Sequence, residues 1–289
     1  MTTQPKRHMF VGLPASGKTT FLAALWYAVR SGDVNVALEA TVLTKDRDYL
    51  NSISDMWAQG EKQNRTPVGE ILEVTMHLKS RLTEAQSTLS IPDISGEMLL
   101  GHWSERTWSK QFHDIAIQST SAILFLHPNG LYCPVSIADV NGTTASLGND
   151  DDGDSTQESD PKHEPFDPLL VAQQVVLIDH LQCLLGAPVK HERIKLSLVV
   201  SAWDEVPDQS QHPLHFAADS SPMLHQFLVA NSDRIELRAF GVSAQGGNLD
   251  DETQRTELLL LDSPVERIKV FDGEVTTNDI AVPILWLME

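Results

Sequence analysis

Short apolar runs alternate with amphipathic stretches along most of this chain. Residues 8–13 read as a buried strand, and residues 18–29 as a helix without internal Gly or Pro, ended by Gly32. Residues 35–43 suit a strand and 46–58 a helix, while 60–69 are polar and loop-like. Between 71 and 78 the apolar positions alternate (Leu72, Val74, Met76, Leu78), and 88–91 form a second short strand, close enough to pair as a hairpin. Residues 98–117 look mostly helical. A buried strand follows at 122–126, a helix at 169–185 stopped by Gly186, a strand at 194–200, a helical stretch at 223–229 and a last strand at 237–242. Residues 279–287 form a closing helix, with Thr277 or Asn278 as its cap and Pro283 bending it or sitting in its first turn. Strands alternating with helices predict an α/β fold. The expected form is a three-layer sandwich around a mostly parallel sheet with one antiparallel hairpin strand, in a single domain spanning 1–289.

Charge narrows the partners. Lys and Arg number 21 against 40 Asp and Glu, a net charge of -19 over 289 residues. A nucleic-acid binder needs a basic surface to displace counterions, and none is visible here. The same charge opposes docking on an anionic membrane. No apolar run reaches the ~18 residues of a membrane span, and the first ten residues lack the apolar core of a signal peptide. Two cysteines, Cys133 and Cys183, give neither a disulfide framework nor a zinc cluster. A cytoplasmic setting is the default expectation. Within residues 141–167, the segment 149–167 carries eight acids and only one basic residue, Lys162. Such a segment cannot bury enough apolar surface to offset its ordering entropy. It is expected to be a disordered surface insertion, serving as a spacer or as a regulatory or partner-binding loop.

The stretch GLPASGKT at 12–19 fits G-x-x-x-x-G-K-[ST] between a strand and a helix. Its glycines permit a tight turn in which successive backbone N–H groups converge on phosphate oxygens, and the helix that follows adds its positive end. Gly12, Pro14, Ala15, Ser16, Gly17, Lys18, Thr19 and Thr20 are thus candidate nucleotide-binding residues. Lys18 would reach the β- and γ-phosphates and the Thr19 hydroxyl would ligate Mg²⁺. This loop alone does not name the nucleotide, because P-loop kinases carry similar sequences. A second motif, D-x-x-G, runs from Asp93 to Gly96 at the end of the hairpin. Asp93 there can hold Mg²⁺ through water, and the Gly96 N–H can meet the γ-phosphate. Upstream of the hairpin, Thr66 is the candidate to close over Mg²⁺ and γ-phosphate. Its neighbour Arg65 reads either as a loop arginine or as a transition-state cation acting in cis.

Two further strand ends carry polar motifs: Ser201-Ala202-Trp203-Asp204, and Ser243-Ala244-Gln245-Gly246. With these, the chain resembles P-loop GTPases of the TRAFAC class over nearly its whole length, and most resembles bacterial double-GTPase-type proteins, which are associated with predicted multi-gene conflict systems. The resemblance implies a GTPase-like fold and GTP or GDP as ligand with Mg²⁺. It also implies that Asp204 accepts from guanine N1–H and the 2-amino group while the Ala244 N–H, in the Ser243 motif, meets O6. Adenine offers no matching donor pair to Asp204. Ala202 and Ser201 depart from the Lys and the Asn or Thr of the family pattern. Trp203 suits either cover for the base or core packing.

Phosphoryl transfer is mostly positioning and charge neutralisation. The candidate catalytic residues are Lys18, Thr66 and Glu97. Glu97 stands where many relatives have a water-orienting Gln, and its charge repels the γ-phosphate, so slow turnover is expected unless Glu97 acts as a base or a partner completes the site. The expected function is a slowly hydrolysing GTP switch signalling to a protein effector or activating partner, which could be another GTPase. The alternatives are an ATP-dependent P-loop kinase or ATPase, whose lid would need more arginine than residues 186–208 supply, and a nucleotide-bound adaptor with little turnover. Trp103 and Trp108 are read as core, and His102 as a packed or surface histidine.

Overall fold

The computed structural model describes residues 6–32, 36–41, 46–61, 72–93, 96–130, 171–186 and 193–289. Thr66, Arg65, Cys133 and the acidic insertion at 141–167 lie outside them. Among the described residues nine strands form one sheet: β1 (Lys6–Val11), β2 (Leu38–Ala40), β3 (Leu72–Ser80), β4 (Gln86–Asp93), β5 (Ser121–Leu126), β6 (Ile194–Ser201), β7 (Ile235–Ser243), β8 (Lys269–Phe271) and β9 (Thr276–Thr277), in the order β2-β3-β4-β1-β5-β6-β7-β8-β9. The five strands β4-β1-β5-β6-β7 run parallel, and β3 and β8 run against them. The hairpin of β3 and β4 is the expected one. The antiparallel edge at β8 and β9 was not expected, because strands of three and two residues carry too few positions to show a period.

The helices are α1 (Lys18–Ser31), α2 (Arg47–Ala58), α3 (Gly96–Glu105), α4 (Lys110–Gln118), α5 (Gln173–Gly186), α6 (Pro213–Ser220), α7 (Pro222–Ala230), α8 (Glu252–Leu259) and α9 (Val282–Met288). They cover both faces of the sheet, so the inner strands are apolar on both sides. Along β1, Phe10 joins a core with α1, α2 and α9, while Met9 and Val11 join one with α4, α5 and α7. The same alternation recurs in β5, where Ile123 and Phe125 face the first core and Ala122, Leu124 and Leu126 the second. Helix α2 turns a narrow stripe, Leu50, Ile53, Ser54 and Trp57, inward. None of the described helices is long and apolar enough to cross a membrane.

Two local expectations are corrected. The stretch 98–117 is two helices, because Arg106 takes a left-handed conformation (φ 55°) and Ser109 caps a new start by accepting from the Phe112 N–H at 3.3 Å. At the C-terminus the helix begins later than expected, with Ala281 at its cap position and no side-chain cap bond. Thr277 instead accepts from the Asp279 N–H, and Asp279 from the Ala281 N–H, a relay of turns that takes the capping role. Pro283 sits in the first turn of α9, as one of the two expected placements.

Candidate nucleotide-binding site

Strand β1 lies between β4 and β5, so the chain departs from it towards opposite halves of the sheet. The crevice beyond the carboxyl end of such a strand is where open α/β sheets bind ligands. Four motifs meet there: the loop after β1, Asp93 at the end of β4, and the turns after β6 and β7.

The loop after β1 is built by backbone constraint. Ala15 (φ 55°) and Gly17 (φ 88°) are both left-handed, a local alternation of hand that turns backbone N–H groups inward. A Cβ on Gly17 would come within 2.7 Å of the Ser201 Cβ, and one on Gly12 within 2.7 Å of the Ser16 Oγ. The glycines therefore permit both the turn and its close approach to β6. The first helical bond of α1 closes from the Phe21 N–H to the Gly17 oxygen at 2.9 Å. Lys18 arches back over the loop, its ammonium donating to Gly12 O at 2.7 Å, Leu13 O at 2.6 Å and Ser16 Oγ at 3.1 Å. Pro14 and Ala15 are exposed, at the edge of a separate cavity of about 250 Å³ shared with Phe125, Asn129 and Gln173.

On the side of the hairpin, Lys18 and Thr19 line a small hollow with Tyr49, Val74, Ile91 and Pro92. Asp93 follows Pro92 at the end of β4, and Gly96 and Glu97 open α3. A threonine at the start of α1 and an aspartate ending the neighbouring strand are residue types that suit Mg²⁺, which keeps several waters and binds through one or two protein oxygens rather than a protein cage.

On the other side, a cavity of about 190 Å³ is bounded by Gly17 and Thr20 of the loop and helix, by Ala202 and Asp204 after β6, and by Ala244 and Gly247 after β7. The Asp204 carboxylate accepts from the Ser243 hydroxyl, whose oxygen accepts in turn from the Gly246 N–H at 3.0 Å. Ala202 is left-handed (φ 46°) and leads into a 3-10 turn, Trp203–Glu205, that carries Asp204 to the cavity. Ser201 donates to Leu126 O at 3.0 Å and fixes the end of β6 to that of β5.

Trp203 is core, not cover for a base. Its ring lies where a Cβ on Gly241 would have to go, stacks on Phe271 and meets the edge of Phe216. His102 is packed, with Nε2 accepting from the Ser109 N–H at 3.1 Å and burial holding its pKa below the usual value. Trp103 is buried in the second core, and Trp108 packs on Phe112.

The motifs gave no notice of His127, which lies between the two larger cavities and accepts from the Asn129 N–H at 3.2 Å. Asn129 also donates to Glu205, joining the end of β5 to the Asp204 turn. The one available signal was position: His127 follows a buried strand next to β1.

A sequence profile of the Double-GTPase 1 family matches residues 9–287, from the first strand through the closing helix. The chain belongs to the Double-GTPase 1 family. It is therefore a P-loop GTPase, a protein that binds and hydrolyses GTP. Among solved structures, it is similar to the signal recognition particle receptor SRb-GTP/SRX complex of Chaetomium thermophilum, at 13% identity and TM-score 0.42, covering 85% of this chain and 94% of that one. It is also similar to the S. cerevisiae Ski7 GTPase-like domain bound to GDP and inorganic phosphate, at 12% identity and TM-score 0.40, covering 86% of this chain and 45% of that one. A third is a point variant of Aquifex aeolicus Era bound to GDP.AlF4-, at 13% identity and TM-score 0.32, covering 90% of this chain and 58% of that one. No curated protein sequence matches.

Proposed function

We propose that this GTPase is a Mg²⁺-dependent switch of slow intrinsic turnover, working as one domain in a bacterial cytoplasm and signalling to a partner protein, which a second GTPase would suit. The reading is carried by one observation: Asp204 and Ala244 border the same cavity as Gly17 and Thr20 of the phosphate loop. A base in that cavity would present its N1–H and 2-amino group to Asp204 and its O6 to the Ala244 N–H, with the phosphates running towards Lys18. Thr19, Asp93 and Thr66 would hold Mg²⁺, whose charge, when bound, neutralises the β- and γ-phosphate oxygens. The Gly96 N–H would report the γ-phosphate.

Glu97 can accept a hydrogen bond from an attacking water but cannot donate one to the γ-phosphate, and its charge opposes close approach. That supports slow hydrolysis in isolation and a partner that completes the site. Single-turnover hydrolysis by Glu97→Gln tests this: a rate equal to that of the wild type would remove Glu97 from the mechanism. The net charge of -19 supports a protein partner over nucleic acid or a membrane surface.

The deciding experiment is titration of the protein and of Asp204→Ala with GTP, GDP and ATP in Mg²⁺. GTP and GDP should bind and ATP should not, and the variant should lose or relax that preference. ATP preference in the wild type would overturn the assignment of the base site.

A further inference from the structure

Behind the guanine side of the cavity, Trp57 reaches across from the last turn of α2. Its indole Nε1–H donates to the Ala244 carbonyl at 3.0 Å, a bond sealed from solvent and spanning 187 residues of sequence. The Trp57 ring is fully buried, with Tyr27 packed on it at 5.3 Å and the Arg267 guanidinium over it at 4.2 Å from the centroid. Arg267 is itself only 1% exposed, and it donates to the carbonyls of Trp57 and Ala58, the last residues of α2. A cation is favoured at a helix C-terminus, and an aromatic face adds to that attraction when both are desolvated. Arg267 also approaches the loop through its backbone: its carbonyl lies where a Cβ on Gly246 would have to go, and Gly246 is left-handed (φ 86°). The loop from Ser243 to Gly247 is thus gripped on the cavity side by Asp204 and from behind by Trp57 and Arg267.

We propose that Trp57 is a positioning residue for purine discrimination, fixing the Ala244 peptide so that its N–H is aimed at the O6 of guanine, and that Arg267 holds Trp57 in place for this task. The proposal rests on the guanine reading of the cavity. The N–H and C=O of Ala244 lie in the two peptide planes that meet at its Cα, so anchoring the carbonyl restricts φ and ψ there and with them the swing of the N–H. A site that selects O6 through one donor depends on that donor being fixed before the base arrives.

The test compares wild type, Trp57→Phe and Asp204→Ala in competition binding of GDP, IDP and ADP. Inosine keeps O6 and N1–H but lacks the 2-amino group, while adenine lacks the O6 acceptor. In Trp57→Phe, which removes the N–H and keeps an aromatic ring, GDP and IDP should weaken together by about three- to tenfold, the range of one neutral buried hydrogen bond. ADP should not move, so the GDP-to-ADP preference narrows while the GDP-to-IDP ratio, set by Asp204, is retained. Equal weakening of all three nucleotides, or no change in any, would overturn the proposal. A wild-type protein that binds ADP as well as GDP would overturn the guanine reading and this inference with it, an outcome visible before any variant is made. Should Trp57→Phe fail to fold, Arg267→Lys loosens the clamp while leaving the indole N–H in place and is read by the same ratios.

Discussion

The Ser243 hydroxyl donates to the Asp204 carboxylate, joining the turn after β6 to the end of β7 beside a cavity that Asp204 and Ala244 line. A carboxylate held from one side keeps its remaining lone pairs in a fixed direction, which a reader of two adjacent base donors requires. Asp204→Ala should therefore lower GDP affinity by about a hundredfold or more, as expected for losing two charge-assisted hydrogen bonds. Ser243→Ala keeps the charge but frees its orientation, and should cost about three- to tenfold. Asp204→Asn should exchange partners rather than merely weaken binding. Its amide offers a donor to the C2 carbonyl of xanthine, so XDP should gain as GDP loses. Isothermal titration with both nucleotides checks all three, and an Asn variant that weakens XDP along with GDP would place the base elsewhere.

Gly17 and Gly32 together separate two costs that a glycine substitution usually mixes. Gly17 is left-handed, and an added Cβ would also collide with Ser201 at 2.7 Å. Gly32, at the end of α1, is left-handed too (φ 69°), but among the described residues nothing lies within 4 Å of an added Cβ. Gly32→Ala should cost only the backbone term, about 1–2 kcal/mol. Gly17→Ala should exceed it by roughly another 1–3 kcal/mol of overpacking and should abolish nucleotide binding. Urea denaturation of the two variants measures the difference. Equal losses would mean that β6 yields freely and does not fix the phosphate loop.

Much of this arrangement was legible in advance, for reasons that differ by element. The phosphate loop was readable because its glycines are demanded locally, by turn geometry that any strand-to-helix loop cradling phosphate must satisfy. Asp204 and Ser243 were readable because Ser243 ends an apolar strand and Asp204 lies in the turn just after another, and parallel strands bring such ends together. Trp57 and Arg267 were not. Trp57 looked like any apolar residue on an amphipathic helix, and nothing within a few residues of Arg267 shows that an aromatic ring and two helix-end carbonyls will receive it. The break at Arg106 was missed because α3 and α4 keep similar apolar spacing across it, and only the Ser109 cap betrays the new start. Trp203 could be placed only by Gly241, a distant residue on β7 whose missing side chain makes room for the ring.

Lys18 makes three hydrogen bonds to its own loop. Those acceptors lie in the loop where phosphate would sit, so the ammonium is already at the site where anionic charge would arrive. Lys18→Ala should weaken GTP by about two to three orders of magnitude, a loss of roughly 3–4 kcal/mol, in keeping with removal of a charge-assisted contact to phosphate. GMP lacks the β- and γ-phosphates and should weaken far less. Lys18→Arg should not restore binding, because a planar fork does not replace a compact point charge in a loop this tight. Competition binding with GTP and GMP reads the contrast, and parallel losses for the two would show that Lys18 shapes the loop rather than meeting the outer phosphates.

Three buried histidines should make the fold acid-sensitive. His8, in the middle of β1, is wholly buried with Nδ1 at 2.5 Å from the Ser121 hydroxyl, and burial, aided by Lys6, lowers its pKa to about 3. Burial is also the leading cause that lowers His102 and His180, and His180 adds to the lowering at His102. In the unfolded chain a histidine binds its proton near pH 6.5, whereas folded His8 stays neutral until about pH 3. Between those values the unfolded state holds more protons, so stability is complete above pH 6.5 and is lost as pH falls. At about pH 4.5, roughly two units below the unfolded value, His8 alone should cost about 2–3 kcal/mol. Urea unfolding at about pH 7 and about pH 4.5 tests this in the wild type and in His8→Asn, since the carboxylates contribute equally to both. The variant should be less stable at neutral pH, where its packing is poorer, yet should lose about 2–3 kcal/mol less on acidification. A variant that declines as steeply as the wild type would move the acid sensitivity to His102, His180 or the carboxylates.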